Sequence, residues 1–170
     1  MFVYVKNRFK GFSQVSFVYN EDGDKIFLIR GKMFSLSNRT DLCDMEGNKL
    51  FTIKNKIFPI FKNCVNVYQY VDKKKKLFCK IKTKKGKYFK ITKCEYNLIL
   101  NGRIDEGMAI GYNGEEVAYF EEYDFDEDAS INNSYELEIY DDVDLGGLTT
   151  EMLSAIVIGA DVLLLKLIDN

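Results

Sequence analysis

The 170-residue chain contains no His, no Trp and a single Pro. Without His the commonest general base is missing, and Ser-His or Cys-His nucleophilic machinery is excluded. Cys43, Cys64, Cys79 and Cys94 show no Cys-x-x-Cys spacing, and there is no imidazole to complete a zinc set. No metal, no cofactor and no catalytic residue are expected, and the chain reads as a non-enzymatic binding or scaffold protein. Met1-Phe-Val-Tyr-Val-Lys6 is too short and too soon charged for a signal peptide. Together with thiols that suggest no disulfide framework, this leads us to expect a reduced, cytoplasmic protein.

Long apolar runs are also scarce; there is one. Between Met152 and Leu165 only Ser154, Gly159 and Asp161 interrupt the apolar side chains. Wrapped at the helical period of about 3.6 residues, Leu153, Ile156, Val157, Ile158, Ala160, Leu163 and Leu164 cover every face, so the helix must be buried all round. A membrane span needs about 20 mostly apolar residues, and this run is shorter, carries Asp161 inside it and meets Lys166 soon after. An ionised Asp at mid-bilayer costs about 2.5–3.5 kcal/mol even on the lenient insertion scale. We therefore expect a helix over about 148–168 enclosed by the rest of the protein and not a transmembrane segment. Thr149 or Thr150 can cap it, and Glu151 in the first turn suits the helix dipole.

Charge of one sign is nearly absent from each half. Residues 1–103 hold 23 Lys+Arg against 8 Asp+Glu, a net of +15, and residues 104–170 hold 1 against 18, a net of −17. Oppositely charged halves are expected to attract one another and to steer partners to one pole.

What the chain has in quantity is short β segments. Phe, Tyr, Ile and Val abound, with turns every 8–12 residues, as in an all-β sandwich or barrel. Gln14–Tyr19 runs into the turn Asn20-Glu-Asp-Gly23 and then Lys25–Arg30; Arg39–Cys43 runs into Asp44-Met-Glu-Gly47 and then Lys49–Lys54. Gly at the fourth place fits a turn whose backbone reaches positive φ. The two units are copies: Gly23, Phe27, Ile29, Lys32, Phe34 and Leu36 recur as Gly47, Phe51, Ile53, Lys56, Phe58 and Ile60. Looser versions occur at Lys76–Ile81 and Asn113–Phe120. A repeated hairpin means a repetitive β scaffold. Tyr135-Glu-Leu-Glu-Ile139 alternates cleanly, with Tyr135, Leu137 and Ile139 inward.

The repeated unit, a turn with Gly fourth, a strand, Lys, then Phe-Ser/Pro-Leu/Ile, resembles the LURP-one-related proteins at Asn20–Leu36 and Asp44–Ile60. The Tyr135–Ile139 strand followed by Ala155-Ile-Val-Ile-Gly-Ala-Asp161 resembles their closing strand and helix. The resemblance spans essentially the whole chain and implies one domain over 1–170, with strands in 1–140. That family is similar in turn to the tubby C-terminal domain and the phospholipid scramblases. It implies a mainly β fold, a closed antiparallel barrel of about 12 strands around a central hydrophobic C-terminal helix. Tubby-like domains are associated with phosphoinositides and scramblases with lipid movement, whereas LURP-one-like proteins mostly have no assigned activity, so an unknown protein or small-molecule partner is implied.

Three constellations carry the functional argument. From Lys73 to Lys93 eleven lysines occur without an acid. Reading Lys84-Lys85-Gly86 as a three-residue loop sets Lys80 opposite Lys90 and Lys82 opposite Tyr88 on the outer side, with Ile81 facing Phe89 and Cys79 facing Ile91 within. Like charges directly opposite are destabilising, so Lys80, Lys82, Lys84 and Lys90 are candidates for an anion such as a phospholipid head group. The structural alternative is a strand edge protected by Lys. Nucleic acid fits less well, because inward-facing Phe78 and Phe89 cannot stack on bases. The acidic stretch from Asp124 begins like a calcium loop, but Ala129 replaces the required Gly and Tyr135 stands where the last ligand belongs. Asp161, a carboxylate in an apolar helix, must be paired or hydrogen-bonded, by strand N–H groups or a Tyr, or else line a small cavity beside Gly159. An enzyme would need carboxylates such as Glu116, Asp124 and Asp161 to converge.

Overall fold

Alternating apolar side chains, interrupted every few residues by turns, bury one face of a single antiparallel sheet around the C-terminal helix. The computed structural model describes residues 1–6, 14–32, 39–55, 64–84, 88–103, 106–123 and 134–168. The strands are β1 (Phe2–Lys6), β2 (Gln14–Asn20), β3 (Lys25–Lys32), β4 (Arg39–Cys43), β5 (Lys49–Asn55) and β6 (Cys64–Val71). They continue as β7 (Lys74–Lys84), β8 (Tyr88–Thr92), β9 (Leu98–Arg103), β10 (Gly107–Tyr112), β11 (Glu115–Glu122) and β12 (Ser134–Ile139). Helix α1 spans Thr150–Ile168.

The twelve strands form one sheet in the order β8-β7-β6-β5-β4-β3-β2-β1-β12-β11-β10-β9. The end strands β8 and β9 lie in contact, so the sheet curls into a nearly closed barrel. Closure leaves almost no free edge for another strand to join. Its one non-sequential neighbour is the β1–β12 pair, where Phe2–Lys6 meets Glu138–Ser134 and the two ends of the strand series join.

The duplicated hairpins match down to single hydrogen bonds. Gly23 N donates to Asn20 O and Asp24 N to Asn20 Oδ1; Gly47 N donates to Asp44 O and Asn48 N to Asp44 Oδ1. Gly23 and Gly47 have φ of 83° and 88°, values that penalise any residue with a Cβ. Even the bulges repeat, after Val18 in the first copy and after Leu42 in the second.

Helix α1 packs against β5, β6, β7, β12 and β1. Leu153, Ala155, Ile156, Val157, Ile158, Ala160 and Leu163 are all buried. Each large side chain among them contributes about 1.5–3 kcal/mol relative to exposure. Gly159 is the point of closest approach: a Cβ there would lie 2.7 Å from Ile81 Cδ1 and 3.3 Å from Val67 Cγ2. Those side chains fill the space beside it, which leaves no room on that side for the cavity the sequence allowed. Thr149 O accepts from Leu153 N and starts the helix, but the Thr149 hydroxyl is buried without a hydrogen-bond partner, so it does not cap. No described helix is long and apolar enough to cross a membrane.

Candidate functional site

Antiparallel register, more than sequence proximity, assembles the basic surface. In β7 and β8, Cys79, Ile81, Thr83, Phe89 and Ile91 point inward and are buried, so Lys80, Lys82 and Lys90 project outward. The pairing is offset by two residues from the sequence expectation. Lys82, not Lys80, stands opposite Lys90; Lys80 faces Thr92, Lys84 faces Tyr88, and Ile81 faces Ile91. Strand β7 runs on through Lys84, and residues 85–87 lie outside the described part. Parity survives the shift, so each side chain keeps its expected face.

Strand β7 is not an edge: it pairs with β6 on one side and β8 on the other. Protection of a free edge therefore does not account for Lys80 and Lys82. Following the ladders outward from Lys80 gives a row of directly opposed residues, Arg39 (β4), Lys54 (β5), Asn66 (β6), Lys80 (β7) and Thr92 (β8). The parallel row two residues along holds Cys64, Lys82 and Lys90. Arg39 against Lys54 and Lys82 against Lys90 are like-charge cross-strand pairs, which are destabilising unless something of opposite sign lies over them.

Asp41 is the only acid within strands β4 to β8, and it is already engaged. Arg39 Nη2 lies 2.8 Å from its Oδ2, Lys49 Nζ 3.3 Å, and Thr52 Oγ1 donates to its Oδ1 at 2.5 Å. Burial alone would raise the Asp41 pKa, but the hydrogen bonds from Arg39 and Thr52 and the charges of Arg39 and Lys49 outweigh it and hold the carboxyl below the ordinary range. Beside this network Lys75 places its ammonium 4.0 Å above the Tyr68 ring. Partial burial and the neighbouring Lys54 and Arg39 push the Lys75 pKa down. The cations there crowd one another. In the middle of the row, Asn66 is buried and its Oδ1 has no hydrogen-bond partner.

Arg39, Lys54 and Asn66 were not among the sequence candidates, whereas Lys75 belongs to the Lys73–Lys93 stretch. The Arg39–Lys54 pairing was within reach, since the duplicated turn at Asp44–Asn48 fixes the β4–β5 register. The β5–β6 pairing was not, because the chain between Asn55 and Cys64 is too long to fix the register as the short Asp44–Asn48 turn does.

The acidic half lies on the far side. From β6 to β12 there are six strand steps either way round the barrel, so these strands are diametrically opposed. On β11 and β12 the outer residues Glu116, Glu121, Glu136 and Glu138 have no Lys or Arg within either strand. Glu121 stands directly opposite Glu136. Among the described residues, the outer charged faces of the two halves therefore lie on opposite sides of one barrel. Tyr140 donates to Glu116 Oε1 at 2.6 Å, and that bond with partial burial pushes the Tyr140 pKa up to about 12.

Asp161, on α1 inside the barrel, is 1% exposed and accepts a hydrogen bond of 2.9 Å from the Tyr135 hydroxyl of β12. Tyr135 in turn packs edge-on against Phe120, with ring centroids 6.1 Å apart. Glu116 is on the outer surface and Asp161 within, so these carboxylates do not converge; Asp124 lies outside the described residues, as does the calcium-like stretch to 133. Among the described residues no group of three or more His, Cys, Asp or Glu is placed to hold a metal ion. Cys79 and Cys94 are neighbours, and the proximity of the two thiols, with burial, pushes the Cys79 pKa up, while that of Cys94 is lowered.

Residues 1–158 match the LURP-one-related family. No curated protein matches the chain. Among solved structures, a protein of Arabidopsis thaliana determined by X-ray crystallography is similar in fold, with a TM-score of 0.56 at 14% identity over 95% of this chain and 91% of that one.

Proposed function

From the premise that this chain belongs to the LURP-one-related family, we propose that it is a non-catalytic binding protein that attaches to anionic phospholipid surfaces through the outer face of strands β4 to β8. The observation that carries this reading is the aligned row Arg39–Lys54–Asn66–Lys80, flanked by Lys82 and Lys90, on one curved wall. Its like-charge pairs cost stability in the isolated protein, and a dense anionic plane offsets that cost at every pair together. A membrane head-group layer suits such a surface because it is extended and needs no pocket. Each Lys held near an anionic leaflet contributes about 1 kcal/mol, so the four lysines of the two rows supply enough for peripheral, reversible binding, while Arg39 is already paired with Asp41. The anionic leaflet of a cell membrane faces the cytoplasm, the compartment this reading assigns to the protein. The acidic wall then points away from the bilayer, where it is not repelled.

The test is flotation with vesicles containing about one third phosphatidylserine and with neutral phosphatidylcholine vesicles, for wild type and for K54E/K80E/K82E/K90E. Wild type is expected to float with anionic vesicles alone and to be released by salt, since exposed charges are screened over about 10 Å at 0.1 M. The variant is expected to stay at the bottom. Equal flotation of variant and wild type, or no flotation of wild type at low salt, overturns the reading in favour of a protein or small-molecule partner.

A further inference from the structure

The two charged walls are complementary, and their placement decides how they can meet. The outer faces of β6 and β12 are six strand steps apart in both directions, so a rigid barrel cannot bring its own acidic wall onto its own basic wall. Another molecule can. On the acidic side, Glu121 and Glu136 are directly opposed, as Lys82 and Lys90 are on the basic side. Both walls thus hold same-sign pairs that oppose their own sheet. A surface of the other sign relieves both sets together.

The carboxylates are also held in place. The Tyr140 hydroxyl donates to Glu116 Oε1 at 2.6 Å, and Tyr4 of β1 stands directly opposite Glu136. Side chains ordered before contact lose less freedom on binding. Across the whole chain the formal charge is only −2, so copies approaching in the complementary orientation meet little overall repulsion.

We propose that copies of this chain stack head to tail, the acidic outer wall of β11 and β12 on one copy docking the basic outer wall of β4 to β8 on the next. The contact is heterologous: it uses two different patches, so each copy added leaves one patch of each sign free and the stack does not close. It shares the basic wall with the proposed lipid contact but requires no lipid. On a membrane the first copy would use its basic wall on the head groups and present its acidic wall to the next.

The experiment is sedimentation velocity on the full chain without lipid, at rising protein concentration, in about 0.01 M and about 1 M salt, where the screening length is about 30 Å and about 3 Å. Wild type is expected to sediment as larger species with concentration at low salt and as monomer at high salt. Two variants, K54E/K82E/K90E and E121K/E136K/E138K, checked for native far-ultraviolet circular dichroism, are each expected to remain monomeric alone. Mixed in equal amounts they are expected to associate at low salt, because one carries two acidic walls and the other two basic walls. The proposal is overturned if wild type stays monomeric at low salt, if either variant alone associates like wild type, or if the folded variants fail to associate when mixed. Vesicle flotation of wild type is scored separately, so loss of stacking and loss of lipid binding are distinguishable.

Discussion

Tyr135→Phe removes one oxygen atom from the barrel wall and leaves the ring in its place against Phe120. The lost hydroxyl is the donor 2.9 Å from Asp161 Oδ1. Both residues are 1% exposed, so bulk water cannot take over the bond. Losing one hydrogen bond to a buried carboxyl costs about 1–3 kcal/mol. For a chain of this length each kcal/mol lowers Tm by about 2–4 °C, so a fall of about 2–12 °C is expected. Urea denaturation reads the change directly: the midpoint should drop while the slope m stays constant, because the surface exposed on unfolding is unchanged. A double-mutant cycle with Asp161→Asn should return a coupling of about 0.5–3 kcal/mol, as for groups in direct contact. A Tyr135→Phe protein within about 0.5 kcal/mol of wild type, the range of ordinary surface changes, would refute the claim that this bond ties helix to wall.

Three further outcomes follow from the packing and the charges. Gly159→Val inserts atoms where Ile81 Cδ1 is already 2.7 Å from an added Cβ, so overpacking should cost about 1–3 kcal/mol in the same denaturation assay. Gly23→Ala should cost about 1–2 kcal/mol for its φ of 83°, and Gly47→Ala at least as much, since its Cβ would also come within 3.1 Å of the Arg30 guanidinium. Because the folded-state pKa of Asp41 is depressed, its stabilising contribution is fully present above the unfolded-state value of about 3.9 and is lost as pH falls through the folded value. Urea midpoints measured below about pH 4 should therefore fall more steeply in wild type than in Asp41→Asn.

The barrel was legible in the sequence because its parts repeat and alternate. Gly23 and Gly47 mark turns whose hydrogen bonds prove identical, and Tyr135, Leu137 and Ile139 face inward as their spacing requires. The helix was legible because an all-apolar surface leaves no choice but enclosure. The basic wall was only half legible. Lys80, Lys82 and Lys90 share a face by parity, but their neighbours Arg39 and Lys54 are brought there by ladders between strands far apart in sequence. The hairpin pairing failed by two residues because consecutive lysines around Gly86 give no pattern to pin it. Parity carries no information on which charged strands end up across the barrel from one another; that depends on closure through β1–β12 and β8–β9, a property of the whole sheet.

Lysine footprinting in the presence of vesicles tests the central claim most directly. The protein is treated briefly with an amine-acylating reagent, free and with phosphatidylserine vesicles, and modification is read at each lysine by mass spectrometry. Lys54, Lys80, Lys82 and Lys90 are predicted to lose reactivity on the vesicles, while Lys25 of β3, whose ammonium rests on the Phe17 ring, keeps its own. Protection spread evenly over all lysines, or absent from β5, β7 and β8, would contradict the account.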